Sequence, residues 1–77
     1  MNKILAEKGR TCIKELLVEC TKDQKNMFKR MYAKNTKLSE KEKIELDINT
    51  VVDEMDEDKI DLAMAQCALT VTKNKKG

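Results

Sequence analysis

The stretch from Ile48 to Val71, INTVVDEMDEDKIDLAMAQCALTV, holds the densest apolar patterning in the chain and decides its fold. Ile60, Ala63, Met64, Cys67, Ala68 and Val71 fall at the 3, 4, 7, 8 and 11 spacings of one helix face turned toward a core. Leu62 and Leu69 lie outside that stripe, so the apolar arc is wider than a single neighbouring helix requires, and the segment is expected to touch two partners. Asp56, Glu57 and Asp58 precede it, where negative charge offsets the positive end of the helix dipole; Asp56 is the expected cap. Upstream, Ile48, Val51, Val52 and Met55 repeat at 3, 4 and 7, with Asn49 as the expected cap of a helix of about two turns. Its two valines lower helix propensity, so packing must hold it.

Working outward, composition points the same way. Seventy-seven residues make one domain, 1–77, with room for a single core. There is no proline and there are only two glycines, and Phe28 and Tyr32 are the only aromatics. The core must therefore come from aliphatic residues and five methionines, a soft and adaptable set that dimerisation would reinforce. No run approaches the roughly 18 apolar residues of a membrane span, and a cytoplasmic location is expected. Cys12, Cys20 and Cys67 all fall on apolar stripes; Cys12 and Cys20 would lie about 12 Å apart along one helix, too far for a disulfide. Buried, reduced thiols are the expectation for all three.

From the start, Asn2 to Cys20 reads as one helix, with Gly9 weakening its first turns and Cys12, Ile13, Leu16, Leu17 and Cys20 forming its face. Thr21-Lys22-Asp23-Gln24 is a capping box and opens a second helix across 21–34, with Met27, Phe28, Met31 and Tyr32 as its apolar face and Asn35 as its stop. The very short connection makes these two helices antiparallel or steeply crossed neighbours. Residues 35–47 include a second capping-box pattern at Ser39-Glu40-Lys41-Glu42, but Ile44 is the one strong anchor after it. The segment reads as a long loop with at most one helical turn, mobile or engaged in binding. The tail from Lys73 to Gly77 is expected to fray. The predicted fold is thus all-α, a bundle of about four helices over approximately 2–20, 21–34, 48–55 and 57–72.

Charge is distributed unevenly beneath a net +2. Residues 21–43 carry eight Lys or Arg against three acids, and 44–62 carry eight acids against Lys59 alone. Two candidate partner-binding patches follow: a basic one of Lys22, Lys25, Lys29, Arg30, Lys34 and Lys37, and an acidic one of Asp53, Glu54, Glu57, Asp58 and Asp61. Such patches can screen one another on one solvated surface, meet across a dimer, or engage an external partner. Nucleic acid is the obvious partner for the basic patch, yet the last two helices begin with acids, unlike a recognition helix.

Catalytic chemistry finds little to work with. The chain has no histidine, the cysteines lack metal-ligand spacing, and Asp56-Glu57-Asp58 is followed by Ile60 where a calcium loop needs other residues. A magnesium site at Asp53, Glu54, Asp58 and Asp61 competes with the plainer role of a solvated helix face. No catalytic residue, metal ligand or cofactor is assigned, and an enzyme is not expected.

Three phrases, MFKRMY at Met27–Tyr32, INTVVDEM at Ile48–Met55 and DKIDLAMAQ at Asp58–Gln66, together resemble a family of short, uncharacterised proteins encoded by tailed bacteriophages. The resemblance covers about half the chain. It departs at Asp56 and Leu62, where those proteins carry proline near the acidic turn and tryptophan in the last helix. It implies a phage accessory protein, a class in which small binders of host enzymes and defence complexes are common. With the soft core and the charge layout, the expected function is protein-protein binding, on a host enzyme or defence complex in the host cytoplasm, by a homodimer. A nucleic-acid-binding regulator and a structural phage component are the alternatives.

Overall fold

In the computed structural model, which describes residues 3–35 and 37–76, the chain is an all-α bundle of five helices: α1 Lys3–Val18, α2 Lys22–Tyr32, α3 Glu40–Glu45, α4 Ile48–Glu54 and α5 Ile60–Lys76. A single 3₁₀ turn, Glu57–Lys59, leads into α5. The expected helix start at Asn2 and the tail residue Gly77 lie outside the described residues. No strand occurs among the described residues, and no helix there is long and apolar enough to cross a membrane.

Helix α1 runs unbroken through Gly9, which is buried. Its face is Ala6, Gly9, Ile13 and Leu17, one position over from the stripe expected from Cys12; Cys12 itself is exposed, and Cys20 is half-buried. Of the expected face, Ile13 and Leu17 are buried and Leu16 is half-buried, because packing against α5 turns the Ile13 side of the helix inward. The connection after Val18 is closed by the Thr21 box as expected: Gln24 N–H donates to Thr21 Oγ1 at 3.2 Å and Thr21 N–H to Gln24 Oε1 at 2.8 Å. Short as that turn is, α1 packs chiefly on α5 and α4, while α2 packs on α3 and α4. The expected close pairing of α1 with α2 gives way to α4 as the shared neighbour.

Five other expectations are corrected. Helix α2 ends at Tyr32 with Ala33 as its cap, before Asn35, whose Oδ1 accepts the Lys37 N–H at 3.1 Å. The long loop contains α3, for the Ser39 box is fully formed, with Glu42 N–H donating to Ser39 Oγ at 3.2 Å and Ser39 N–H to Glu42 Oε1 at 3.3 Å. Asp47, rather than Asn49, caps α4 by accepting the Thr50 N–H at 3.1 Å, because Ile48 already belongs to the helix. Asp56 stands at the start of the 3₁₀ turn and makes no capping hydrogen bond, and the basic tail stays helical to Lys76.

The core gathers Ile13, Leu17, Phe28, Val52, Ile60 and Cys67, with Ile13, Val52 and Ile60 sealed from solvent and no buried polar or charged residue among the described residues. Phe28 and Tyr32 stack at a tilt, ring centroids 4.8 Å apart. The molecule measures 36 × 32 × 16 Å. The bundle is thus a flat plate whose outer helix faces meet solvent.

Candidate protein interface

The uncovered side of the plate is apolar where α2 and α5 run beside each other. Met27 and Met31 are each 53% exposed and Leu69 is 64% exposed. They edge a groove of about 350 Å³ whose floor includes Leu17, Phe28 and Cys67. Each end carries a side-chain hydrogen bond between the two helices. At one end the Tyr32 hydroxyl donates to Gln66 Oε1. At the other, Gln24 Nε2 donates to Asn74 Oδ1 at 3.0 Å and Asn74 Nδ2 donates to Gln24 Oε1 at 2.8 Å. These polar contacts fix the separation of the helices while the apolar length between them stays open to solvent. Sequence periodicity placed Met27 and Met31 on the apolar face of α2, but the structure buries only Phe28 and Tyr32 from that face.

Burial shapes the ionisation of the groove's own titratable groups. It pushes the Cys67 thiol up to about 11, with smaller contributions from Cys20 and Cys12, and raises Cys20 and Tyr32 as well, with Lys25 opposing the shift at Cys20 and Cys67 adding to it at Tyr32. All three stay neutral near pH 7, so the groove presents uncharged surface, with Lys73 its one charged lining residue among those described.

Three of the six basic candidates, Lys22, Lys25 and Lys29, share one cleft, and the other three lie elsewhere. Lys29 turns inward to the last turn of α3, its Nζ donating to the carbonyls of Ile44 at 2.7 Å and Leu46 at 3.1 Å. Arg30 reaches Glu40 at 3.8 Å. Lys22 and Lys25 line the shallow cleft over the α3–α4 junction, Lys34 lies in a crevice with Glu54, and Lys37 is exposed. Among the acidic candidates, Asp53 pairs with Lys14 at 2.6 Å, and Glu57, Asp58 and Asp61 border a hollow that also contains Lys8. The two patches of the sequence are thus divided among several clefts. No group of three or more acidic or thiol side chains placed to hold a metal occurs among the described residues.

No protein-family model, curated protein or solved structure matches the chain. The resemblance to short phage proteins therefore finds no support in any family or relative, and the expectations of a phage accessory protein, a host-defence inhibitor or a structural phage component are set aside. Phe28 and Tyr32, Val51, Val52 and Met55, and Ile60 and Ala63, which those phrases contain, are core positions.

Proposed function

We propose that this chain is a small, non-catalytic interaction domain, acting in a reducing cytoplasm, that holds an apolar helix of a protein partner in the groove between α2 and α5. The observation that carries this reading is the half-exposed pair Met27 and Met31 facing Leu69 across an apolar floor. Unbranched thioether side chains repack around differently shaped guests, and a helix laid in a groove buries its residues at 3, 4 and 7 spacings. The three free cysteines and the absence of histidine agree with a binding role in a compartment that keeps thiols reduced.

Nucleic-acid binding through Lys22, Lys25, Lys29, Arg30, Lys34 and Lys37 draws less support, since the Lys29 ammonium already serves two carbonyls and Arg30 is turned toward Glu40.

Helical peptides selected from a display library against the protein, followed by methyl NMR of the methionines, test the proposal. The expected result is that selected peptides shift the Met27 and Met31 methyl signals and lose binding to Met31→Glu. Peptides that shift neither signal, or bind Met31→Glu undiminished, overturn it.

A further inference from the structure

The outer face of α5 carries a second surface, separate from the groove floor. Asp61, Leu62, Ala65, Ala68, Leu69 and Thr72 are all exposed, and from Leu62 to Thr72 the helix bears no charge at all. A helix that faces water normally spends that side on charged residues, and here about three turns of it are leucine, alanine and threonine. Within the chain α5 packs chiefly on α1 and meets α2 across the groove, and neither helix covers Leu62. Its ends have opposite sign: Glu57, Asp58 and Asp61 at the start, Lys73, Lys75 and Lys76 at the finish. Asp58, Asp61, Lys73 and Lys76 belong to none of the ion pairs among the described residues.

The geometry points to a second copy of this chain as the missing neighbour, bound through an antiparallel pairing of α5 with its counterpart about a twofold axis beside Ala65 and Gln66. The arrangement follows from numbering alone. With the axis midway between those residues, Leu62 lies opposite the partner's Leu69, Ala65 opposite the partner's Gln66, and Asp58 opposite the partner's Lys73, each contact occurring twice. The leucines repeat after seven residues, the period that keeps one seam of a helix pair facing its mate at a shallow crossing, and the small, exposed Ala65 beside the axis lets the two helices approach closely. A parallel pair would set acid against acid and base against base. The antiparallel pair opposes them, and it also opposes the two helix dipoles. Met27 and Met31 belong to α2 and take no part in this contact, while Gln66, Leu69 and Lys73 border both surfaces.

Sedimentation velocity of the full chain up to about 200 µM, at about 50 and about 500 mM NaCl, tests the inference. The expected result is a reversible monomer–dimer equilibrium, weaker at the higher salt, that Ala65→Glu abolishes and Met31→Glu leaves in place. Ala65 is exposed, so its variant keeps the wild-type helical circular dichroism. The double variants D58K/D61K and K73E/K76E should each be monomeric alone and form a mixed dimer when combined. A wild-type monomer throughout, a dimer indifferent to Ala65→Glu, or paired charge reversals that fail to restore association overturns the inference. Peptide binding in the groove is read separately by the methionine methyl signals, so either proposal can fail without the other.

Discussion

Gly9 of α1 lies so near Ile60 of α5 that a Cβ built on the glycine would stand 2.5 Å from the Ile60 Cγ2 methyl. Its φ is not positive, so the glycine is needed for space and not for backbone freedom. With Ala6 and Ala63 also buried, small residues let α1 and α5 approach closely over a fully sealed isoleucine. Gly9→Ala would gain about 0.5 to 1 kcal/mol of helix propensity and lose about 1 to 3 kcal/mol to overpacking. The expected net result is destabilisation, seen as a melting temperature lowered by several degrees. Ile60→Leu moves the branch away from Cβ, so G9A/I60L should recover part of the loss. A variant Gly9→Ala that melts at or above the wild-type temperature would contradict the packing described.

Lys29 joins α2 to the end of α3 through two charge-assisted hydrogen bonds to carbonyls that the helix itself leaves unpaired. Lys29→Met keeps most of the apolar stem and removes those bonds. Because the side chain is only part-buried, the loss should be about 1 kcal/mol, localised in α3. Hydrogen exchange of the amides from Lys43 to Leu46 should accelerate while that of α1 and α5 stays near wild type. Unchanged exchange there would mean that the ammonium contributes nothing to α3.

The Ser39 box makes the complementary prediction at the other end of the same helix. Six residues are too few for a helix to persist without its cap and its neighbour. Ser39→Ala removes the acceptor of the Glu42 N–H and should weaken α3 by about 1 kcal/mol. Backbone chemical shifts should show α3 losing helical character while α2 retains it. Helical shifts preserved at Glu40–Glu45 would show that packing against α2 suffices.

What could be read from the chain beforehand follows from how local each signal is. Of the expected stripe on α5, Ile60, Ala63, Cys67 and Val71 are buried, Met64 is half-buried and Ala68, at the edge of the arc, is exposed; the Thr21–Gln24 box forms because all its parts lie within four residues. Helix α3 escaped because its second anchor is Lys29, far from it in sequence and invisible to periodicity. Met27 and Met31 share an apolar arc with Phe28 and Tyr32, and spacing cannot say which edge of an arc the rest of the chain covers. Gly9 looked like a weak point because its use depends on a residue 51 positions later. The groove shares that origin, being the space left between two helices whose separation is set by Tyr32 with Gln66 and by Gln24 with Asn74.

The three thiols should separate cleanly by environment. Cys12 is exposed, Cys20 is half-buried with its thiol raised, and Cys67 is buried with its thiol moved from 9.0 up to about 11. A thiolate-selective reagent at pH 8 should therefore modify Cys12 first and Cys67 last, the latter no faster than the protein opens. The same shift fixes a pH dependence. The folded state holds the Cys67 proton more tightly than the unfolded chain, so its contribution to stability is fully present below about pH 9 and declines as pH rises toward about 11. Tyr32, also raised by burial, falls off in the same direction from a higher starting value. Urea unfolding at pH 7.5 and pH 10.5 should show wild type losing more stability between the two conditions than Cys67→Ala, although that variant is less stable at both because of the cavity it creates. Equal losses in the two proteins would mean that the Cys67 thiol is not shielded from solvent as its place beneath the groove requires.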